Sequence, residues 1–400
     1  MALLGIPLVV VLACAAVLLP VGTFLLWSHV HGPRVVRGGT RLGMLLTGQL
    51  ATVLLVAALA NDYGQFYTSW SDLFGTGSGQ HTVSTFGAAG APRASRSLGH
   101  PRSPVHRPDS PVRPAAATTT RTGGSGRLQV LGATSWSSRA QWATRGKVES
   151  VDITGLQSGL SVQGYLYLPP QYFQRAWAHH RFPAVEAITG YPGSALALVT
   201  RLGYPSVSLK LVQEHRSQPT IFVMLPSMVV PPRDTECTDV PHGPQAETFF
   251  GQEVPSAVQT ALRVKPNDWG VAGDSTGGYC ATKILMDHPA VFRAGISLSG
   301  YYYAREDRTT GSLWAGDVQL QHLNDPEWLL HRFPAPPVSL FLTTSKDETH
   351  RDGYPDAMRF LHEVRPPMHV TALVEAHGGH NFATWDRELP IALRWLSRLQ

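Results

Sequence analysis

The sequence predicts an α/β protein with a mostly parallel eight-stranded sheet flanked by helices, preceded by a hairpin of two apolar helices. The first 60 residues are mostly apolar, whereas residues 76–127 have almost no apolar runs. From residue 148 onward, short apolar segments alternate with helical patterns. That alternation is typical of βαβ units and a parallel sheet. A chain of 400 residues accommodates one such domain of roughly 250 residues beside a membrane segment.

Two apolar stretches near the N-terminus are long enough to span a bilayer. Residues 5–27 are 23 uncharged residues and residues 42–60 are another 19, and a hydrocarbon core is about 30 Å thick. The first stretch is longer than the apolar region of a signal peptide, and residues 1–4 carry no Lys or Arg. We therefore predict two transmembrane helices within residues 1–75.

Basic and aromatic residues predict the orientation of this hairpin. Arg34, Arg37 and Arg41 lie between the two stretches, and short basic loops face the cytoplasm. Residues 61–70 are rich in aromatic rings, which suits the outer membrane interface. The expectation is a multi-pass plasma-membrane protein, with the lipid bilayer as a partner and the C-terminal domain outside the cytoplasm.

Residues 76–127 are predicted to be a disordered linker, because their Pro, Ser, Thr, Arg and Gly residues cannot bury enough surface to fold. This segment holds seven arginines and one acid, Asp109, so it accounts for more than the net charge of +5 of the whole chain. A basic linker explains the charge better than a nucleic-acid surface, and no nucleic-acid-binding motif accompanies it. Nucleic acid is therefore not an expected partner.

The remaining residues, 128–400, are predicted to form the α/β domain. Eight strands are predicted at residues 148–154, 161–167, 183–189, 220–225, 269–272, 294–298, 338–343 and 368–374. Helices are predicted at residues 194–202, 255–262, 277–287, 355–364 and 389–398.

A G-x-S-x-G motif follows the fifth predicted strand and precedes a helical pattern. Gly273 and Gly277 flank Ser275 in this motif. A strand–G-x-S-x-G–helix sequence indicates a nucleophile elbow, in which a tight turn presents the serine hydroxyl at the carboxyl edge of the sheet. Ser275 is therefore the candidate nucleophile.

A serine nucleophile needs a base and an acid, which in this arrangement follow it in the order acid, then histidine. His377 and His380 are the histidines after the last predicted strand, and two glycines before His380 let the backbone approach the serine. His380 is the preferred base. Asp347 and Glu348 follow the penultimate strand, and Asp347 is preferred over Glu348 as the acid that orients the histidine.

Two backbone N–H groups are needed to bind the oxyanion, one after the nucleophile and one after the third predicted strand. Thr276 supplies the first. The second loop reads Ile-Thr-Gly-Tyr-Pro-Gly at residues 188–193, where Tyr191 is the predicted donor because Pro192 has no N–H. A simple Pro-Gly turn is the alternative interpretation.

These segments together resemble the esterase D family, which includes feruloyl esterases and mycolyltransferases. The resemblance rests on residues 188–193, 273–278, 345–347 and 378–385. It covers residues 148–400 and implies the α/β-hydrolase fold, with Ser275, Asp347 and His380 as the triad. It also implies Tyr191 and Thr276 as oxyanion donors.

The expected function is hydrolysis of a carboxylic ester through an acyl-enzyme, with an ester as the substrate. An acyltransferase that moves the acyl group to an envelope sugar or lipid shares the chemistry up to that intermediate. A catalytically inactive envelope-binding protein is the alternative from another class. No cofactor is implied, and no His or Cys pair has metal-ligand spacing. Cys237 and Cys280 could form a disulfide outside the cytoplasm, or Cys280 could be a buried thiol.

Overall fold

The structure is a computed structural model that describes residues 3, 6–64, 66–74, 80–87 and 125–400. It divides into two compact units. Of the described residues, those within 1–80, 345–348 and 376–384 form the hairpin unit, and those within 81–344, 349–375 and 385–400 form the sheet unit.

The hairpin unit contains helices α1 (Ile6–Leu26), α2 (Arg34–Gly64) and α3 (Trp70–Leu73). The spans Ile6–His29 and Arg34–Asp62 are long and apolar enough to cross a membrane, by length and composition. Helix α2 begins at Arg34, whereas the sequence predicted a loop as far as residue 41. Arg41 lies inside α2, where its guanidinium donates to the carbonyl of Trp27 at 2.8 Å and stacks on the Trp27 ring.

Ten strands form the sheet, in the spatial order β1-β10-β9-β8-β7-β5-β6-β4-β3-β2. In chain order they are β1 (His81–Phe86), β2 (Gly126–Ala133), β3 (Lys147–Gly155), β4 (Ser161–Leu168), β5 (Phe182–Ile188), β6 (Ile221–Leu225), β7 (Val264–Asp274), β8 (Phe292–Leu298), β9 (Ser339–Ser345) and β10 (His369–Glu375). All eight predicted strands are present, as β3 to β10.

The sheet is mixed rather than purely parallel. Strands β6, β5, β7, β8 and β9 pair in parallel through its centre, while β2, β3, β4 and β6 pair antiparallel, as do β1 and β10. Because parallel strands have their carboxyl ends at one edge, the chain leaves β5 and β7 on the same side of the sheet.

Helices surround this sheet, and α9 packs against β5, β7 and β8. Of the 12 residues of α9, 11 are buried, so the helix forms part of the hydrophobic core. The helices of the domain are α4 (Trp142–Arg145), α5 (Ala195–Thr200), α6 (Tyr204–Gln213), α7 (Ala246–Thr248), α8 (Val254–Ala261), α9 (Thr276–Asp287), α10 (Val318–Leu323), α11 (Pro326–Arg332), α12 (Tyr354–Glu363) and α13 (Phe382–Leu396).

The predicted disordered linker, residues 76–127, differs from the structure at two places. Strand β1 lies inside it and pairs with β10, with His81 opposite Glu375 and Phe86 opposite Val370. Strand β2 begins at Gly126. The β-branched and aromatic side chains of His-Thr-Val-Ser-Thr-Phe suit a strand, but their pairing partner lies almost 300 residues away, so composition alone does not indicate it. Within the predicted linker, residues 76–79 and 88–124 lie outside the described residues.

Candidate active site

The turn at Ser275 has the strand–turn–helix geometry that the motif predicts. Ser275 lies between β7 and α9 with φ 55° and ψ −122°, a conformation that costs free energy for a residue with a Cβ. Neighbouring backbone holds it there. The Ser275 N–H donates to the carbonyl of Leu298 at 2.9 Å, and the Ser275 carbonyl accepts from the N–H of Gly278 at 2.9 Å.

Residue 277 has to be glycine for the turn to pack against β5. A Cβ at Gly277 would overlap the carbonyl oxygen of Ile188, at the end of that strand. The motif also contacts the following loop, because the N–H of Gly190 donates to Asp274 Oδ2 at 3.0 Å. This hydrogen bond ties the loop after β5 to the residue that precedes the serine.

Both predicted oxyanion donors lie beside this turn. Thr276 is the first residue of α9, so its N–H is outside the hydrogen-bond ladder of the helix and at its positive end. Asp274 uses the N–H of Gly190, which makes Tyr191 the next backbone N–H along the loop. The Tyr191 hydroxyl donates to the carbonyl of Pro232 at 2.9 Å, which fixes the ring.

A disulfide joins α9 to the segment around residue 237. Cys237 and Cys280 are bonded, with their Cα atoms 5.6 Å apart, and both are fully buried. Lys283, one turn further along α9, donates to the carbonyl of Cys237 at 2.8 Å and lies 3.4 Å from the carboxylate of Glu247. The helix that follows Ser275 is therefore covalently and electrostatically attached to this segment.

Sequence reasoning missed a buried acid near the elbow, Glu236. The Tyr301 hydroxyl donates to Glu236 and lies 3.4 Å from Thr276 Oγ1, and Arg305 approaches the other Glu236 oxygen at 3.6 Å. Burial, with a smaller effect from Asp234, raises the pKa of Glu236 to about 8. No sequence signal distinguishes this glutamate from a surface acid.

His380 lies in the loop between β10 and α13, in the hairpin unit. Its Nδ1 is 3.8 Å from Glu348 Oε1, and the Glu348 side chain is 1 % exposed whereas that of His380 is 18 % exposed. Glu348 is held in the turn after β9, where its N–H donates to the carbonyl of Ser345 at 3.0 Å. A buried carboxylate facing Nδ1 favours the tautomer with the proton on Nδ1, in which Nε2 is unprotonated.

Asp347, the acid preferred from the sequence, is near the other histidine. Asp347 Oδ2 is 3.2 Å from Nδ1 of His377, whose side chain is 72 % exposed. It also accepts from the Thr68 hydroxyl at 3.3 Å. In the hairpin unit, Glu348 and not Asp347 is therefore the acid beside His380. The two adjacent side chains point in different directions after β9.

The loop that carries His380 is fixed by polar side chains on both flanks. The N–H of Gly379 donates to Thr384 Oγ1 at 3.1 Å, and the N–H of Thr384 donates to Asn381 Oδ1 at 3.0 Å. The second bond is a helix N-cap, and it explains why α13 begins at Phe382 although the sequence predicted residue 389. The Asn381 amide also contacts Asp72, which sequence reasoning missed.

Within the described residues, no group of three or more His, Cys, Asp or Glu side chains is arranged to hold a metal ion.

Comparison with known proteins identifies the family. The family model described as "Putative esterase" matches residues 158–396. The chain belongs to this esterase family, as the resemblance of its motifs indicated, and it has the family's α/β-hydrolase fold with a mixed sheet.

One curated relative and two solved structures are also similar to this chain. An uncharacterized protein of Corynebacterium glutamicum is 20% identical over 247 residues, which are 58% of this chain and 56% of that protein. The chain thus matches about half the length of this curated relative. An S-formylglutathione hydrolase from Agrobacterium tumefaciens superposes with a TM-score of 0.55 at 14% identity, covering 68% of this chain and 99% of the hydrolase. A ferulic acid esterase superposes with a TM-score of 0.54 at 17% identity, covering 64% of this chain and 100% of the esterase. At these identities the structural likeness shows the fold.

Proposed function

We propose that the protein is a membrane-anchored serine esterase that hydrolyses carboxylic esters through an acyl-enzyme. Family membership supports ester hydrolysis. The strained backbone of Ser275 at the turn between β7 and α9 is the observation that carries the serine mechanism, since the fold maintains that strain where a nucleophile is presented.

In this proposal Ser275 Oγ attacks the ester carbonyl carbon while Nε2 of His380 accepts the hydroxyl proton. The imidazolium then gives that proton to the departing alkoxide, which leaves as the alcohol. A water molecule, deprotonated by the same histidine, then attacks the acyl-enzyme carbonyl carbon. The imidazolium returns this proton to Ser275 Oγ as the bond to the acyl group breaks, which releases the carboxylic acid. The N–H groups of Tyr191 and Thr276 stabilise the negative charge on the carbonyl oxygen in both steps.

Glu348 replaces Asp347 as the acid in this proposal. The 3.8 Å separation between Glu348 Oε1 and His380 Nδ1, together with the burial of Glu348, supports this choice. That separation is longer than a hydrogen bond, but catalytic hydrogen bonds often shorten only when substrate is bound. A buried carboxylate stabilises an imidazolium more strongly than an exposed one, because water screens it less.

The proposed location is the outer side of the plasma membrane. Two spans of sufficient length and apolarity, the basic residues at the start of α2 and the Cys237–Cys280 disulfide support it. Disulfides persist in oxidising compartments and are rare in the cytosol.

The mechanism is tested with the full chain in detergent and a short p-nitrophenyl ester. Ser275→Ala and His380→Ala should each lower kcat by about 10³-fold or more, since the two groups act as a unit. A fluorophosphonate probe should label the wild type and not Ser275→Ala. His377→Ala is the matched control and should retain activity. Full activity of Ser275→Ala would exclude the serine mechanism.

The topology is tested by cysteine labelling in intact cells, with Cys14 replaced by Ala. A membrane-impermeant maleimide should label Lys210→Cys, an exposed position on α6, without permeabilisation. Arg37→Cys, near the start of α2, should react only after permeabilisation. The reverse pattern would place the esterase domain in the cytoplasm.

A further inference from the structure

The chain that leaves the second apolar helix contacts the histidine loop. Residues 66–74, here called the exit segment, follow α2 after residue 65 and include the short helix α3. They belong to the same compact unit as residues 345–348 and 376–384. The exit segment therefore shares its packing with both the histidine and its carboxylate.

Asn381, the residue after His380, is held by the exit segment. Its side-chain amide donates to Asp72 Oδ2 at 3.2 Å and to the carbonyl of Phe66. The same Asp72 oxygen accepts from the N–H of Thr68 at 3.1 Å, and Asp72 is only 7% exposed. A buried carboxylate that accepts from both the exit segment and the histidine loop connects the two.

The other flank of His380 is held as well. The Thr68 hydroxyl lies 3.3 Å from the carbonyl of Gly378 and 3.3 Å from Asp347 Oδ2. His380 is thus bracketed by Gly378 and Asn381, and each of these residues contacts the exit segment.

Gly379 allows the close approach between the exit segment and the loop. A Cβ at this position would overlap the carbonyl oxygen of Phe66 and would lie 2.6 Å from Asp72 Oδ2. The glycine before His380 is therefore required for packing against the exit segment, in addition to any freedom it gives the turn.

We infer that the exit segment positions the catalytic histidine, with Asp72 as its main positioning residue. This inference rests on the proposed function, because it concerns His380 as the general base. The exit segment orders the loop through hydrogen bonds to Gly378 and Asn381, and a displacement of the imidazole by about 1 Å can cost on the order of 100-fold in rate. In this inference the exit segment has two roles: it joins the apolar helices to the rest of the chain, and it holds the histidine loop in position.

The experiment compares variants of the full chain in detergent with a p-nitrophenyl ester. Asp72→Ala should lower kcat by about 10- to 100-fold while KM stays within about twofold, because the histidine is displaced but the substrate site is not. Asp72→Asn keeps one acceptor oxygen and should recover most of this loss. Labelling of Ser275 by a fluorophosphonate should slow in parallel with kcat.

Two further variants give the comparison its controls. Ser71→Ala alters the neighbouring residue of α3, whose hydroxyl contacts Ser69, and should leave kcat unchanged. Thr68→Val removes the hydroxyl contacts to Gly378 and Asp347 and should lower kcat less than Asp72→Ala. It also tests the inference should Asp72→Ala fail to fold.

Wild-type kcat in Asp72→Ala would overturn the inference, whether or not its melting temperature is lower. If Asp72→Ala does not fold, wild-type kcat in Thr68→Val would overturn it instead. Equal losses in Asp72→Asn and Asp72→Ala would also overturn it. The proposed function fails separately, if Ser275→Ala remains active. An inactive Ser275→Ala beside a fully active Asp72→Ala would refute the positioning role alone.

Discussion

The elbow around Ser275 and the loop around His380 are organised over very different distances in the sequence. The elbow is built from residues 273–278, with support from the loop after β5, and its shape follows from a strand, two glycines and a helix. The histidine loop depends on a contact between Phe66 and Asn381, which are 315 positions apart. A local motif is therefore sufficient to recognise the elbow, whereas the conformation of the histidine loop depends on residues far away in the sequence.

The two regions also use carboxylates differently. In the sheet unit, Asp274 at the end of β7 accepts the N–H of Gly190 and so joins this strand to the loop after β5. In the hairpin unit, two adjacent acids face two histidines, Glu348 toward His380 and Asp347 toward His377. The difference in burial, 1 % exposed for Glu348 and 29 % for Asp347, makes their electrostatic effects unequal.

The largest expected effect comes from exchanging these two acids for amides. Glu348→Gln should lower kcat by about 10²- to 10⁴-fold, because the amide favours the wrong histidine tautomer and does not stabilise the imidazolium. Asp347→Asn should change kcat by less than about fivefold, since exposed ion pairs contribute little. Steady-state kinetics on a p-nitrophenyl ester measures both. A crippled Asp347→Asn beside an active Glu348→Gln would restore the acid preferred from the sequence.

The disulfide tests whether the helix behind the elbow depends on a distant segment. Replacing both Cys237 and Cys280 with Ala removes a covalent link between residues 43 positions apart. The loss of loop-closure entropy in the unfolded chain makes such a link worth about 4 kcal/mol of stability. The melting temperature of the esterase domain should fall by roughly 10 °C. Thiol reduction of the wild type should reproduce the shift.

Cys14→Ala is the matched control, because Cys14 is an exposed free thiol on α1. Its melting temperature should equal that of the wild type. An unshifted double variant would show that packing of buried Cys280 is sufficient, without the covalent bond.

The smallest effect concerns Glu236, whose pKa burial raises from 4.5 to about 8. A carboxyl with a raised folded-state pKa contributes full stability below pH 4.5 and loses it as the pH rises through about 8. Glu236→Gln should therefore match the melting temperature of the wild type near pH 5 and exceed it near pH 9. A thermal-shift series across this range measures the difference. If the melting temperature of Glu236→Gln exceeded that of the wild type by more at pH 5 than at pH 9, the raised pKa of Glu236 would be contradicted.

Much of the sheet could be predicted from residue patterns. Strands β3 to β10 follow apolar runs, and periodicity is sufficient to identify such segments. Strand β1 was assigned to the linker because six residues of mixed polarity carry no periodic signal, and only pairing with β10 defines them. The sequence predicts the last helix from residue 389, whereas α13 begins seven residues earlier, at Phe382, where the Asn381 side chain caps it.

Residue patterns are sufficient to predict the order of the elements, the two apolar spans, the strand–turn–helix at Ser275 and the family. These features depend on the periodicity of side chains, the length of apolar stretches and the local freedom of the backbone at glycines. All three are properties of consecutive residues and are therefore evident in the sequence. Three pairings are evident only in the folded chain: Glu348 rather than Asp347 faces His380, Cys237 is bonded to Cys280, and Asp72 accepts from Asn381. Asp347 and Glu348 are both carboxylates, so their chemistry does not distinguish them in the sequence. The direction in which the folded backbone points each side chain decides its partner.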